Sequence, residues 1–195
     1  MKNTIFLLSI TALSFSYGCK DAKKETKEMN SEVEATIMDV ESEKESKSIT
    51  ITLEPKSESD VKGEVTFTQD GETVAMMATL SGLSEGEHAI HIHETADCSS
   101  ADGKSAGGHW NPTFQPHGKW GTEEGYHKGD IGNFAADVDG NATVEFSTDE
   151  WCIDCDDETK NILEKGVIVH QGTDDYTSQP SGDAGARVSC AGIIQ

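Results

Sequence analysis

The chain has 195 residues, 34% of them hydrophobic and 6% aromatic, and carries 36 acidic against 15 basic side chains, a formal net charge of −21. A charge of that size and sign argues against a nucleic-acid partner, whose phosphates would be repelled, and against adhesion to anionic lipid through surface charge. It favours solubility, and the length leaves room for one domain with an extension.

Residues 1–18 read as an export signal. Lys2 and the run Ile5-Phe6-Leu7-Leu8-Ser9-Ile10-Thr11-Ala12-Leu13 supply its charged head and an apolar core too short to span a bilayer. The run ends at Ser16-Tyr17-Gly18-Cys19, and a small residue before cysteine resembles a bacterial lipoprotein signal, in which Cys19 becomes the lipidated first residue. An ordinary secretory signal with Cys19 incidental is the alternative. Removing residues 1–18 deletes Lys2 and no acid, which leaves 14 basic against 36 acidic side chains. From 19 to 48 the chain is dominated by Lys, Glu, Asp, Ser and Thr, and such a composition cannot bury enough apolar area to offset the entropy of ordering. It reads as a tether that holds a domain off a membrane, with a short amphipathic helix around Val33 to Val40 as a further option.

Residues 49–195 are one domain's worth of chain. Ser48-Ile-Thr-Ile-Thr-Leu53 and Gly63-Glu-Val-Thr-Phe-Thr68 alternate apolar and polar, and Thr73 to Leu80 follows the turn Gln69-Asp-Gly71. A strand starting near His88, Gly129 to Ala136, Ala142 to Ser147 after the turn Asp137-Val-Asp-Gly-Asn141, Gly166 to His170 and Ala186 to Gly192 bring the total to about eight. No helix-period segment competes, apart from a short turn near Asp157 to Glu164. The spacing predicts an all-β fold, an eight-stranded Greek-key sandwich or flattened barrel of immunoglobulin-like kind. The long connection from Thr95 to Lys128 is the exception, and a loop of that length inside a compact domain is normally functional.

Six of the seven histidines fall in a pattern: His91, His93, His109, His117, His127 and His170, with Asp130 three residues beyond His127. Alternate side chains of a strand share a face, so His91 and His93 point one way while His88, Ile90 and Ile92 point the other. A lone histidine signifies little, but neutral imidazole is the commonest nitrogen donor to metals, and a carboxylate adds the oxygen that zinc accepts beside nitrogens. Seven side chains are too many for one tetrahedral ion and fit two neighbouring ions if one imidazole serves both. An all-nitrogen tetragonal site suits copper, and three nitrogens with one oxygen suit zinc, although the residues alone do not dictate which side chains go to which ion. The leftover His88 reads as a buried imidazole bonded to backbone. Cys152-Ile-Asp-Cys155 is compatible with a redox dithiol, half of a zinc site or a local disulfide; with no second such motif and the histidines already used, a structural disulfide is the favoured reading.

From Ile49 to Gln195 the order and spacing resemble the copper/zinc superoxide dismutase family. The resemblance rests on His91-Ile-His93, Gly108-His109-Trp110-Asn111-Pro112, His117-Gly118, His127-Lys-Gly-Asp130-Ile-Gly-Asn133, Val169-His170-Gln-Gly-Thr-Asp174-Asp175 and Gly185-Ala-Arg187-Val-Ser-Cys190-Ala-Gly192. It implies copper at His91, His93, His109 and His170, zinc at His109, His117, His127 and Asp130, and His109 as the shared imidazolate. It further implies a Cys98–Cys190 disulfide, Asp174 as a carboxylate bonded to a ligand of each metal, and Arg187 as the group that attracts the anion. The implied activity is dismutation of superoxide to dioxygen and hydrogen peroxide at a redox-cycling copper beside a structural zinc, as an antioxidant of a bacterial cell envelope. The protein would be lipid-anchored at Cys19, in the periplasm or at the outer membrane, with superoxide as its partner and a homodimer compatible with the family. The net charge does not oppose this. Two divalent ions, one imidazolate and Asp130 sum to roughly +2 and dominate the local field, while distant surface acids are screened over about 8 Å.

The stretch from Asp175 to Gly185 departs from the animal-type enzymes by lacking the lysine and paired glutamates that guide substrate, which leaves Lys104, Lys119 and Lys128 as the steering candidates. A noncatalytic copper or zinc carrier on the same fold is the competing reading, and the presence of Arg187 and a complete bridge favours the enzyme.

Overall fold

Alternation of buried and exposed side chains defines the strands. A computed structural model describes residues 46–195; the expected signal, Cys19 and nearly all of the tether lie outside the described residues. The strands are β1 Lys47–Pro55, β2 Lys62–Asp70, β3 Thr73–Ser81, β4 Gly86–His93, β5 Gly132–Ala136, β6 Ala142–Thr148, β7 Gly166–His170 and β8 Arg187–Gly192. In β3 Val74, Met76, Ala78 and Leu80 are buried while Ala75, Met77 and Thr79 face out, the period-two pattern of a sheet with one wet face.

The sheet order is β5-β4-β7-β8-β1-β2-β3-β6, every pair antiparallel. Its two outermost strands, β5 and β6, are joined by a tight turn closed by Asp137 N–H to Asn141 O at 2.9 Å and Gly140 N–H to Asp137 O at 3.0 Å. A sheet whose two edges are tied so closely must curl, and it forms a nearly closed barrel with β1-β2-β3-β6 on one side and β5-β4-β7-β8 on the other. These halves are stitched where β1 meets β8, at Glu54 opposite Cys190 and Pro55 opposite Ser189. The connections β3 to β4 and β6 to β7 join strands that are not neighbours, which makes the topology a Greek key, the all-β eight-stranded architecture expected from the spacing.

Between the halves lie Leu53, Val65, Phe67, Ile90, Ile92, Val167, Trp151 and Ile193, all nearly inaccessible. Each such aliphatic side chain stabilises by about 1.5–3 kcal/mol through burial. Strand β7 is buried on both faces, because Ile168 packs outward against Ala106, Cys190 and Cys98 in a second small apolar cluster. That cluster is what lets a long loop lie flat on the barrel.

Several boundaries differ from expectation. Strand β4 opens at Gly86, where φ is +122° and pairing with Ala136 already begins. Strand β5 opens at Gly132, not Gly129: the Gly129 carbonyl accepts from Ile92 N–H at 2.9 Å and its N–H donates to Trp110 O at 3.0 Å. Those bonds hold residue 129 across the end of β4, and a Cβ there would stand 2.1 Å from Ile92 O. Strand β8 begins at Arg187, and a single 3-10 turn at Lys104–Ala106 was not indicated by the sequence. Asp157 opens the expected turn, closed by Lys160 N–H to Asp157 O at 2.9 Å. Among the described residues no helix is long and apolar enough to cross a membrane.

Candidate metal centre

Strand β4 carries His91 and His93 on one face and Ile90 and Ile92 on the other, and all four are fully buried. Its neighbour β7 ends in His170, and a register shift between Val169 and His170 sets His170 opposite Arg187 of β8. His109 comes from the long loop, held by a bridge to His93 and by Glu94 N–H to Gly108 O at 3.0 Å. The ring of His109 thereby stands 4.0 Å from that of His91 and 4.9 Å from that of His93, centroid to centroid. His93 Nε2 and His170 Nε2 face each other at 3.4 Å.

On the far side of His109 lie His117 and His127, with ring centroids 5.3 and 5.8 Å away. Asp130 is brought in by a tight turn, its N–H donating to His127 O at 3.1 Å. Its Oδ2 accepts from His127 N–H at 2.8 Å and Gly118 N–H at 3.2 Å, and its Oδ1 sits 2.8 Å from His109 Nδ1. Asp130 oxygens also lie 3.0 Å from His117 Nδ1 and 3.3 Å from His127 Nδ1. The result is two buried quartets, His91 with His93, His109 and His170, and His109 with His117, His127 and Asp130, in each of which one donor atom per residue falls within 4.8 Å of the others.

Hydrogen bonds select the tautomers. Asp174 bonds His91 Nε2 through Oδ2 and His117 Nε2 through Oδ1, each at 2.9 Å. His91 therefore carries its proton at Nε2 and presents Nδ1, and His117 presents Nδ1 once the proton it shares with Asp130 is released. His93 gives Nδ1–H to Gly107 O at 3.0 Å and so presents Nε2. Buried without any hydrogen-bond partner are His91 Nδ1, His109 Nε2, His117 Nδ1, His127 Nδ1 and His170 Nδ1. Leaving one such group unsatisfied costs about 1–3 kcal/mol, so several converging at one place fit a centre built for cations. An ion in each quartet satisfies His91, His109, His117 and His127 together, and the donor types suit copper in the all-nitrogen quartet and zinc in the other.

The electrostatics agree. Burial, followed by repulsion from neighbouring imidazoles and Arg187, pushes His93 and His170 well below the usual histidine range. Burial also brings His109 down to about 4, against the pull of Asp130. These rings are neutral at physiological pH, with lone pairs free for metal. Burial works against charge on His117 too, but hydrogen bonds to Asp130 and Asp174 outweigh it and raise its pKa to about 9. Asp130 and Asp174 pay for their burial, yet the imidazole N–H groups hold both below the usual carboxylate range.

The quartets open onto a cleft of about 870 Å³ floored by His93, His109, His127 and His170. Arg187 stands in its wall, half-buried, with Nη1 donating to Gly103 O at 2.9 Å. Of the three candidate lysines only Lys104 lines the cleft, paired with Asp102 at 2.9 Å. Lys128 is engaged with Glu150, whose other oxygen accepts from Tyr126 OH at 2.6 Å. That carboxylate thus grips both neighbours of His127, and Trp151 Nε1 adds a bond to Lys128 O at 2.8 Å. Disulfides join Cys98 to Cys190 and Cys152 to Cys155. His88 belongs to neither quartet and bonds the carbonyls of His170 and Ser84 at 3.1 and 2.9 Å.

Sequence reading missed Glu150, Gln179, Gly182 and Tyr176. Glu150, Gln179 and Tyr176 act through hydrogen bonds 24 to 62 residues away in the chain, Gly182 packs against Asp174 and His117, and no local pattern marks them. Asn133 stood inside a recognised motif without a role; it pairs with the Asp174 backbone in both directions, at 2.8 and 2.9 Å.

Known proteins of similar sequence carry matching descriptions. The family model for copper/zinc superoxide dismutase matches residues 61–193. A copper/zinc superoxide dismutase of Aquifex aeolicus, its number 2, is 34% identical over 142 residues, 71% of this chain and 82% of that protein. The extracellular copper/zinc superoxide dismutase of Drosophila melanogaster is 38% identical over 142 residues, 69% of this chain and 75% of that protein. The enzyme of Caulobacter vibrioides is 36% identical over 137 residues, 68% and 78% of the two chains. A match from the residue before β2 to the residue after β8 takes in seven of the eight strands and every candidate ligand, and on that extent the chain belongs to the copper/zinc superoxide dismutase family.

Proposed function

We infer that this protein dismutates superoxide, turning two superoxide ions and two protons into dioxygen and hydrogen peroxide, with copper held by His91, His93, His109 and His170 and zinc by His109, His117, His127 and Asp130. Family membership and the convergence of unpartnered imidazole nitrogens on two quartets that share one ring support this reading. Copper, when bound, supplies the one-electron redox chemistry, zinc having no second accessible oxidation state.

The chain's own groups do the rest. His109 Nε2 is the atom at which the shared ring takes up a proton, while Asp130 at Nδ1 keeps the ring in place. Asp174 holds His91 and His117 in the tautomers that present Nδ1, one to each quartet. Arg187, steadied by the Gly103 carbonyl, turns the rest of its fork to the cleft. There it draws in the small anion and accepts it through charge-assisted hydrogen bonds.

Metal loading followed by elemental analysis and a direct measurement of superoxide decay tests the assignment. Copper and zinc are expected in about equal amounts. Arg187→Ala should keep both metals and the copper(II) absorption band while its second-order rate falls roughly tenfold, the loss of one interaction of about 1.4 kcal/mol. Zinc alone under copper-replete conditions would overturn it in favour of a carrier or a zinc-only protein, and an alanine variant with full metal at the parent rate across a range of ionic strengths would overturn the role of Arg187.

At the other end of the chain, residues 1–18 are an export signal, Cys19 is lipidated, and residues 19–48 tether the domain in the envelope. The apolar run, the Gly18-Cys19 junction and two disulfides, which persist in oxidising compartments, support this reading. Cys19→Ala should release the protein from the membrane fraction with unchanged activity, and a parent already soluble would refute the anchor.

A further inference from the structure

Asp174 is followed by a loop that folds on itself. Asp175 Oδ1 accepts the N–H groups of Thr177 and Ser178, both at 2.8 Å; Gly182 N–H donates to Ser178 O at 2.7 Å; and Asp175 N–H donates to Gly182 O at 2.9 Å. Two residues of this loop touch the second quartet. Gln179 pairs its side-chain amide with the main chain of His117 in both directions: His117 N–H donates to Oε1 and Nε2 donates to His117 O, each at 2.9 Å. Gly182, at φ +70°, is pressed onto the bond between Asp174 and the His117 ring. A Cβ at that position would stand 1.8 Å from Asp174 Oδ1 and 2.7 Å from His117 Nε2.

His117 needs such help because of where it sits. The backbone-to-backbone hydrogen bonds of residues 112–126 run from Phe114 to Asn111, Thr122 to Lys119 and Gly125 to Thr122. All are local, and none ties this stretch to the barrel. The His117 ring hydrogen-bonds Asp174 at Nε2 and stands 3.0 Å from an Asp130 oxygen at Nδ1, but a ring held at its nitrogens still moves with its main chain. Next to it Gly118 N–H reaches Asp130 Oδ2 at 3.2 Å, while Gln179 holds the main chain of His117 itself, at its donor and its acceptor together. On the other face of the same loop, Pro180, Ser181, Asp183 and Ala184 line the cleft.

We propose that Gln179 is a positioning residue that fastens the 175–184 loop to His117, so that ion binding at the second quartet and the set of the cleft wall are one coupled equilibrium. The proposal rests on the reading of His117 as a zinc ligand. The pairing of Gln179 with His117 acts as a clamp. The clamp stiffens the wall past which an anion reaches His109 and Arg187. Partners that orient ligands in this way change metal affinity by about 10–100-fold when removed.

The test uses the full chain, stripped of metal and titrated with zinc against a chromogenic chelator, as the parent, Gln179→Met and Gln179→Glu. Methionine keeps the length and removes donor and acceptor; glutamate keeps the acceptor for His117 N–H and sets an anion against His117 O. Gln179 is solvent-exposed, so neither change burdens the core. About tenfold weaker zinc binding is expected for the methionine variant, with glutamate between it and the parent. Cobalt(II) loaded in place of zinc should show an altered ligand-field band. In the zinc-loaded methionine variant the amides of Asp175 and Gly182 should exchange hydrogen as fast as in the metal-free parent, while those of β3 and β6 stay protected. A parent that takes up zinc beside a methionine variant with the same affinity, band and exchange overturns the role of Gln179 alone. A parent that takes up no zinc overturns it together with the ligand assignment.

Discussion

Asp130→Asn is expected to lower zinc affinity by about 100-fold or more, the largest effect of any single substitution in the centre. The carboxylate is fully buried and does five things at once. It faces three imidazoles through His109 Nδ1, His117 Nδ1 and His127 Nδ1, and accepts the N–H groups of Gly118 and His127. Asparagine has nearly the same shape but only one acceptor oxygen, so its NH₂ must point at a donor or at the ion, and the negative charge that balances the ion is gone. Outer partners of metal ligands cost 10–100-fold when removed, and a ligand that also orients the other three sits at or beyond that limit. Competition against a chelator of known affinity measures it; a variant within about threefold of the parent would remove Asp130 from the zinc site.

The same carboxylate makes a prediction about protons. In the metal-free protein His117 is raised to about 9, burial being outweighed by Asp130 and Asp174. A group raised above its unfolded value contributes stability that is fully present below about 6.5 and is lost as pH climbs through about 9. His109, lowered to about 4 chiefly by burial, works the opposite way: its contribution is present above about 6.5 and is lost as pH falls towards 4. Metal-free parent should therefore be most stable between these arms. Asp130→Asn should flatten the alkaline arm, because half of what holds the His117 proton has been removed. Zinc uptake by the parent at neutral pH should release the His117 proton, which an indicator dye reports.

Much of this was legible in the sequence, for definite reasons. Strands β1, β2, β3 and β6 announce themselves because one face is wet, so in β1 Ile49, Ile51 and Leu53 alternate with Ser48, Thr50 and Thr52. His91 and His93 share a face because a strand has period two, and the seven donor side chains were countable. What stayed hidden depends on the tertiary path of loops. The start of β5 could not be read, because Gly129 looks like a strand residue until Ile92 and Trp110 claim its backbone. Lys128 looked like a free cation until Glu150 arrived from 22 residues away. Gln179 sits in a bland polar stretch, and only the return of that stretch to His117 gives its amide a task.

Replacing both Cys98 and Cys190 by alanine is expected to lower stability by about 4–5 kcal/mol, against about 2 kcal/mol for the same change at Cys152 and Cys155. The two pairs differ in the loop they close. Their separations are 92 and 3 residues, and in the chain-entropy account the stabilisation grows with the logarithm of loop length, with these values as upper figures. The longer bridge also has a local task. It pins the loop around Cys98 over Ala106 and Ile168, next to Gly103, whose carbonyl takes the Arg187 guanidinium at 2.9 Å. Lys56 Nζ to Cys98 O at 2.6 Å, Ala96 N–H to Glu164 O at 2.8 Å and Ser57 N–H to Ala101 O at 2.7 Å survive the change. The loop should therefore stay on the barrel but loosen about Gly103. Metal content should hold, since none of the seven ligand side chains bonds to either cysteine, while the rate with superoxide drifts toward that of Arg187→Ala. Denaturant unfolding of the metal-free forms gives the stability difference, and superoxide decay in the loaded forms gives the rate. Equal losses for the two cysteine pairs would defeat the loop-closure account. A parent rate in the Cys98, Cys190 double variant would show that Arg187 keeps its aim without the bridge.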